Sequence, residues 1–136
     1  MLVEFSVGNF LSFKDPVTFS MLASAAVKEL EDSSEGVENV FWDKSGKNKY
    51  LKSAVLYGAN GSGKSNLIKA MGFFRSFITS SSNNSQAGDP IDVTPFLFNT
   101  QTATGPSYFE MVFFIGPVRY RYGFETKPRS ASTPPR

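Results

Sequence analysis

Residues 58–65 of the chain read Gly58-Ala59-Asn60-Gly61-Ser62-Gly63-Lys64-Ser65 and fit the pattern G-x-x-x-x-G-K-[ST] at every fixed position. Successive backbone N–H groups of such a loop can wrap a polyphosphate, and its glycines leave the room that this approach needs. Lys64 supplies a mobile positive charge for the β- and γ-phosphates, and the Ser65 hydroxyl suits magnesium, which prefers oxygen ligands. The pattern therefore predicts a loop that binds a purine nucleoside triphosphate, with ATP and Mg2+ as cofactors and Ser65 as the magnesium ligand.

The segments on either side of this loop support the same prediction. Ala54-Val-Leu-Tyr57 is a short apolar run, which is typical of a strand covered on both faces. Lys64 to Thr79 predicts a helix with one apolar stripe, formed by Leu67, Ile68, Met71, Phe74 and Ile78. The start of that helix would add its amides and its positive dipole end beneath the phosphates. A Gly/Ser-rich surface turn before a helix is the alternative, and the strand–loop–helix context favours the phosphate-binding loop.

Strands dominate the structure predicted outside this unit. Alternating apolar residues predict a strand over 2–7. Further on, the predicted segments are two antiparallel strands at Phe10–Phe13 and Val17–Met21 around Lys14-Asp15-Pro16, a short helix at Ala23–Leu30, a strand at Val37–Trp42, and a hairpin of Tyr108–Ile115 and Val118–Phe124 around Gly116-Pro117. Residues 127–136 hold three prolines and no apolar pattern, so they are predicted to be a disordered tail.

The composition limits the class of protein. A chain of 136 residues has the size of one ordinary domain, and its 14 phenylalanines provide enough apolar material for a packed core. The net charge of +2 is too small to indicate nucleic acid by itself. Cysteine and histidine are absent, which excludes disulfides and thiolate metal sites and removes the commonest general base. The start lacks a secretory signal and no apolar stretch is long enough for a membrane helix, so we expect a cytoplasmic protein.

A second pattern lies in the predicted hairpin, where aromatic and basic residues alternate. Tyr120, Tyr122 and Phe124 could stack on the bases of a single-stranded nucleic acid, with Arg119 and Arg121 near the phosphates. Aromatic residues that alternate along a strand are more often part of a core. We therefore favour packing over nucleic-acid binding for these side chains.

Two segments resemble ABC-like ATPases of the RecF, SMC and OLD group within the AAA proteins. Tyr57-Gly-Ala-Asn-Gly-Ser-Gly-Lys-Ser-Asn-Leu-Ile68 is similar to the group's "YGxNGSGKSNLI" element, and Glu4-Phe-Ser-Val-Gly-Asn-Phe-Leu-Ser-Phe13 is similar to the "NF-x-S-F" turn that precedes it. The resemblance implies an α/β P-loop NTPase fold over residues 1–126: the N-terminal lobe, with a β-rich sheet, a strand–P-loop–helix unit and a closing antiparallel hairpin. It also implies that Asn60–Ser65 line the phosphates, followed by Asn66 in the first helical turn, and that Asn9–Phe13 lie near the adenine or ribose. Several relatives place Arg or Lys where this chain has Leu11.

Members of this group use a second half that the sequence does not show. They carry an acidic pair at a strand end, a serine–glycine signature and often a switch histidine, and we find none of these after Ser65. The first hypothesis is therefore the ATP-binding lobe of an ATPase for DNA transactions or phage defence, with a homodimer or a missing C-terminal half as partner and DNA or a nuclease as client. A second is a non-hydrolysing fragment that binds nucleotide or a partner protein. A third, a small kinase, is disfavoured because more than 50 residues precede the loop.

Overall fold

The computed structural model describes residues 1–24, 39–43, 45–83 and 92–128, without the side chains of 81–83. Its elements in chain order are β1 Leu2–Gly8, β2 Val17–Ser20, β3 Val40–Trp42, β4 Lys49–Leu51, α1 Lys64–Asn83, α2 Thr100–Ala103, β5 Ser107–Ile115 and β6 Val118–Thr126. The strands form a four-stranded sheet in the order β2-β1-β5-β6 and a two-stranded sheet of β3 and β4. Every pairing in them is antiparallel, so the described residues have a mixed α/β fold built on antiparallel sheets.

The predicted strand at the N-terminus is confirmed, and it lies inside the larger sheet. Phe5 and Val7 of β1 are fully buried in the main hydrophobic cluster. The pairing of β1 with β5 shifts by one residue between Leu2 and Glu4, which is a bulge. Val3 therefore belongs to a second cluster, with Tyr50 and Val112, although simple alternation places it beside Phe5.

Helix α1 supplies the other half of the main cluster. Its start at Lys64 agrees with the prediction, and Leu67 and Phe74 are buried as expected. The prediction of burial is wrong for two other members of the stripe, because Ile68 is 62% exposed and Ile78 is also exposed. Ala70 is fully buried instead, since the sheet touches the helix along a line about one residue away from the stripe that hydrophobicity alone indicates.

The hairpin prediction is confirmed, with β5 one residue and β6 two residues longer than predicted. β5 and β6 pair over nine residues from Ser107↔Thr126 to Ile115↔Val118, and Gly116 closes the turn with a positive φ of 56°. Phe109 and Phe124 stack with ring centres 5.3 Å apart, and both contribute to the main cluster. Helix α1 therefore packs on the hairpin.

The strand predicted at Ala54–Tyr57 is wrong. Residues 53–59 belong to no strand, and Val55 and Tyr57 are 71% and 89% exposed. A strand needs a neighbour to fill its backbone hydrogen bonds, and no strand in the described part of the chain lies beside this segment. Ala54–Leu56 instead form one wall of an open apolar groove that also touches Phe19, Met21 and α1.

The remaining predictions fall on shorter segments. Val17–Ser20 is a strand, but it pairs with β1, whereas Phe10–Phe13 form a tight turn with one bridge between their ends. Val40–Trp42 confirms part of the predicted third strand. The rest of that strand, the helix predicted at Ala23–Leu30 beyond residue 24, and residues 129–136 of the predicted tail lie outside the described residues.

The small sheet of β3 and β4 packs on β5 of the large sheet, in a cluster separate from the one that contains the residues of α1. Tyr50 and Phe41 place their rings 5.5 and 6.1 Å from that of Phe114. The turn between the two strands is ordered by Asp43, whose carboxylate accepts hydrogen bonds from the Ser45 hydroxyl at 2.7 Å and the Asn48 amide at 2.9 Å. These two hydrogen bonds are the main reason why the pKa of Asp43 is lowered to about 2. Among the described residues, no helix is both long enough and apolar enough to cross a membrane.

Candidate nucleotide-binding site

The loop of residues 58–65 runs directly into the N-terminus of α1. The Ser62 amide donates to the Ala59 carbonyl at 3.2 Å, and the Leu67 amide donates to the Gly63 carbonyl at 3.0 Å. The amides of the first helical turn before Leu67 have no acceptor within a helix, and they point out of its N-terminal end. Together with the loop they surround a cavity of about 220 Å³, which is lined by residues 60–66.

Backbone conformation favours glycine at two positions of this loop. Gly61 and Gly63 have φ values of +81° and +90°, a region that other L-residues rarely adopt. A Cβ on Gly63 would also lie 3.2 Å from the Ser12 hydroxyl oxygen, and a Cβ on Gly58 would lie 2.8 Å from the Ser62 hydroxyl oxygen. The loop is therefore kept open by the absence of side chains, as a cradle for phosphates requires.

Lys64 lies across the mouth of the loop. Its Nζ donates to the carbonyl oxygens of Gly58 and Ala59, both at 2.7 Å, and to the Ser62 hydroxyl at 3.3 Å. The first turn of α1 contains no acidic residue, so the ammonium group and the positive end of the helix dipole act together. This charge distribution suits an anion.

Ser65 is exposed at the end of the loop nearest the helix. Its hydroxyl is a suitable ligand for Mg2+ when phosphate oxygens supply others. Within the described ranges, no group of three or more acidic side chains could hold a metal ion.

The comparison with protein families agrees with this geometry. Residues 53–134 match the family model described as "AAA domain, putative AbiEii toxin, Type IV TA system". The chain belongs to this family of AAA-type P-loop proteins. The match covers more than half of the chain. It includes the loop, α1 and the β5–β6 hairpin, and it begins after β4. No curated protein and no solved structure matches the chain.

Two side chains join the loop of this AAA domain to the turn after β1. The Asn66 side-chain amide donates to the Ser12 hydroxyl oxygen at 2.9 Å. Phe13 lies near Gly63, 3.7 Å from where a Cβ would be. Ser12 and Phe13 are thus at the loop, while the expected role of Asn66 in nucleotide binding stays a prediction.

Asn9 has a structural role that the resemblance does not indicate. Its side-chain amide donates to the carbonyls of Thr102, Gly105 and Pro106 at 2.8, 3.1 and 3.1 Å, and its Oδ1 accepts from the Phe96 amide at 3.0 Å. The residue is buried and has a positive φ of 49°, which Asn tolerates better than most residues. Asn9 therefore fixes the segment before β5. Sequence reasoning missed this role because the partners lie about 90 residues away.

We expect Asn9→Ala to lower the free energy of unfolding by about 2–4 kcal/mol, because it leaves buried backbone groups without partners and because Ala tolerates the left-handed region less well than Asn. Urea denaturation of the full chain measures this. Asn99→Ala is the matched control: it removes only the N-cap of the short helix α2, whose side chain accepts from the Gln101 amide, and should cost about 0.5–1 kcal/mol. Equal losses in the two variants would contradict the role assigned to Asn9.

The aromatic and basic residues of β6 do not form one surface. Tyr122 and Phe124 lie on the face that packs on Phe74 of α1. Arg121 is on the opposite face, where it contacts the Glu110 carboxylate at 3.4 Å. A nucleic-acid strand could not meet the tyrosines and the arginines of one copy together, which agrees with the packing interpretation for Phe124. Tyr120 and Tyr122 are packed only in part, since each is 44% exposed.

Proposed function

We propose that this AAA domain binds ATP with Mg2+ through residues 58–65, as the ATP-binding lobe of a RecF/SMC/OLD-like ATPase. The observation that carries the proposal is the glycine cradle with Lys64 across its mouth. The cradle offers backbone amides to the phosphates, and Lys64 can exchange its carbonyl contacts for the β- and γ-phosphate oxygens. Ser65 would hold the Mg2+, and Asn66 would lie beside the phosphates.

The wider assignment follows from the same motif and from family membership. A RecF/SMC/OLD-like ATPase would act in DNA transactions or phage defence, with ATP held between two lobes in a homodimer or between this lobe and a C-terminal ATPase half. DNA or a nuclease would be the client. The resemblance in residues 4–13 and 57–68 supports this assignment, and the family description adds the toxin–antitoxin class as a related context.

Binding is tested by isothermal titration of the full chain with ATP, with and without Mg2+. We expect saturable binding that weakens when Mg2+ is chelated, and weaker binding of AMP, because the cradle and Lys64 act on the outer phosphates. A competition with GTP establishes the preferred base. Equal affinities for ATP and AMP would contradict the proposal. Conversion of nucleoside monophosphates to diphosphates would favour the kinase alternative instead.

A second candidate is a lobe that binds nucleotide without hydrolysing it. Phosphoryl transfer needs positioning and charge stabilisation by several groups acting together, and the described residues supply the cradle without an acidic cluster. We expect single-turnover ATP hydrolysis by the purified chain at the same background rate as in Lys64→Ala. A wild-type rate well above that of the variant would show that this chain holds a complete catalytic site.

A further inference from the structure

The outer edge of the hairpin offers a surface that is independent of the loop. β6 is an edge strand of the large sheet, and within the described residues no strand pairs with its outer side. It is nine residues long, and residues 118–123 are all exposed. An edge of this length presents a row of backbone donors and acceptors that a further strand can fill.

The sequence of β6 is complementary to itself when two copies run antiparallel. Tyr122 is the fifth of its nine residues, so a two-fold axis through Tyr122 aligns the whole strand with that of a second copy. In this register Arg119 lies opposite Glu125 of the second copy, and this ion pair occurs twice. Arg121, which already contacts Glu110, lies opposite the small residue Gly123.

Neighbouring registers are less favourable. Residues that lie opposite each other in an antiparallel pair are on the same face of the sheet. The register can therefore shift only in steps that keep Arg119 and Arg121 opposite residues of their own face. The next register in one direction places Arg121 opposite Arg121 of the second copy. In the other direction Arg121 would lie opposite Glu125, but Arg119 would lie opposite Lys127, and only seven residues of each strand would overlap. Like charges directly opposite each other are destabilising, so the register about Tyr122 is favoured: it joins opposite charges, opposes no like charges and overlaps all nine residues.

The other face of β6 is compatible with the same pairing. Tyr122 would lie opposite Tyr122 of the second copy, and Tyr120 opposite Phe124. The two tyrosines are each 44% exposed, so a second copy would bury aromatic surface that the single chain leaves open. Aromatic cross-strand pairs of this kind add to sheet stability.

We propose that the protein forms a homodimer in which the two β6 strands pair antiparallel about Tyr122, making one continuous eight-stranded sheet. The nucleotide loop is not part of this interface. Lys64 and Ser65 line the groove next to Phe19 of β2, and β2 is the opposite edge of the sheet. The dimer therefore needs no nucleotide, which distinguishes it from a dimer that closes around ATP and makes its test independent of the function proposed above.

A single-cysteine experiment tests the position of the axis. The chain has no cysteine of its own, so Tyr122→Cys introduces one thiol per copy. The two introduced cysteines would lie directly opposite each other, with Cα atoms about 4.5–5.5 Å apart, within the range of a disulfide. In Tyr120→Cys, which replaces an equally exposed tyrosine, the two thiols would be offset by four residues, about 13 Å.

We expect mild oxidation to convert Tyr122→Cys into a disulfide-linked dimer much faster than Tyr120→Cys, as seen on a non-reducing gel. Circular dichroism of both variants shows that they are folded. Equal cross-linking of the two variants would overturn the proposed register, because random collisions do not distinguish the two positions.

Charge variants test the pairing in solution by sedimentation velocity over a concentration series. Arg119→Glu should weaken the dimer roughly 10- to 100-fold, because two attractive pairs become repulsive. Glu125→Arg should do the same, and the double variant Arg119→Glu/Glu125→Arg should restore the wild-type affinity. Lys47→Glu is the control, since it makes the same charge change in the exposed β3–β4 turn. A wild-type chain that stays monomeric, a double variant that does not recover, or a dimer that forms only with ATP would each overturn the proposal.

Discussion

Lys64→Ala is expected to weaken the binding of ATP with Mg2+ roughly 10- to 100-fold, the cost of about 1.5–3 kcal/mol for losing hydrogen bonds to a charged group. The ammonium group of Lys64 already lies at the mouth of the loop, 2.7 Å from the carbonyls of Gly58 and Ala59. A triphosphate that enters the cradle places its β- and γ-oxygens where this charge can reach them. Alanine leaves the loop amides in place but removes the mobile charge.

Isothermal titration with ATP and with AMP measures the effect. AMP lacks the outer phosphates, so Lys64→Ala should change its affinity little. Lys69→Ala is the matched control, because it removes the same charge from an exposed position five residues further along α1. If Lys69→Ala weakens ATP binding as much as Lys64→Ala does, the effect comes from overall charge, and the assigned role of Lys64 is wrong.

Phe74→Ala is expected to have the largest effect on stability, a loss of about 3–5 kcal/mol in the free energy of unfolding. The Phe74 side chain is 2% exposed and lies between the helix and the sheet. Its ring makes an edge contact with Phe5 at 5.7 Å and stacks on Phe124 at 5.5 Å. Removing it leaves a cavity where β1, the hairpin and α1 meet, and domains have only about 5–15 kcal/mol of stability in total.

Urea and thermal unfolding followed by circular dichroism measure this loss, and the thermal midpoint should fall by about 10–20 °C. Ile68→Ala on the same helix is the control. Its side chain is 62% exposed although it belongs to the apolar stripe that the sequence predicts, so we expect it to cost less than about 1 kcal/mol. Similar losses in the two variants would mean that α1 does not pack with Phe74 toward the sheet.

The two variants also show how far the sequence predicts the helix. The periodicity of apolar residues correctly predicts that α1 starts at Lys64 and that Phe74 is buried. Both predictions depend only on residues one or two helical turns apart. It assigns Ile68 to the core and omits Ala70. A hydrophobic side chain indicates what can be buried, whereas the sheet that buries it is made of residues far away along the chain.

The segment before the loop shows the same limit more strongly. Ala54–Leu56 have the apolar character of a buried strand, yet these residues line an open groove with Lys64 and Ser65. The apolar composition of a segment indicates that it can be buried, but a strand also needs a neighbouring strand with which its backbone can pair. No neighbour for it lies within the described residues.

The sequence alone determined the glycine-rich loop of residues 58–65, the start of α1 and the β5–β6 hairpin. Each of these is closed by contacts between residues close together in the chain, such as Lys64 with Gly58 or Ile115 with Val118. Only the tertiary structure decided that β1 lies between β2 and β5, that Asn9 holds the segment before β5, and that residues 53–59 remain unpaired. These features rest on partners that include Leu2 and Phe113, more than 100 residues apart, and no local pattern specifies which distant backbone group a strand or a side chain will meet.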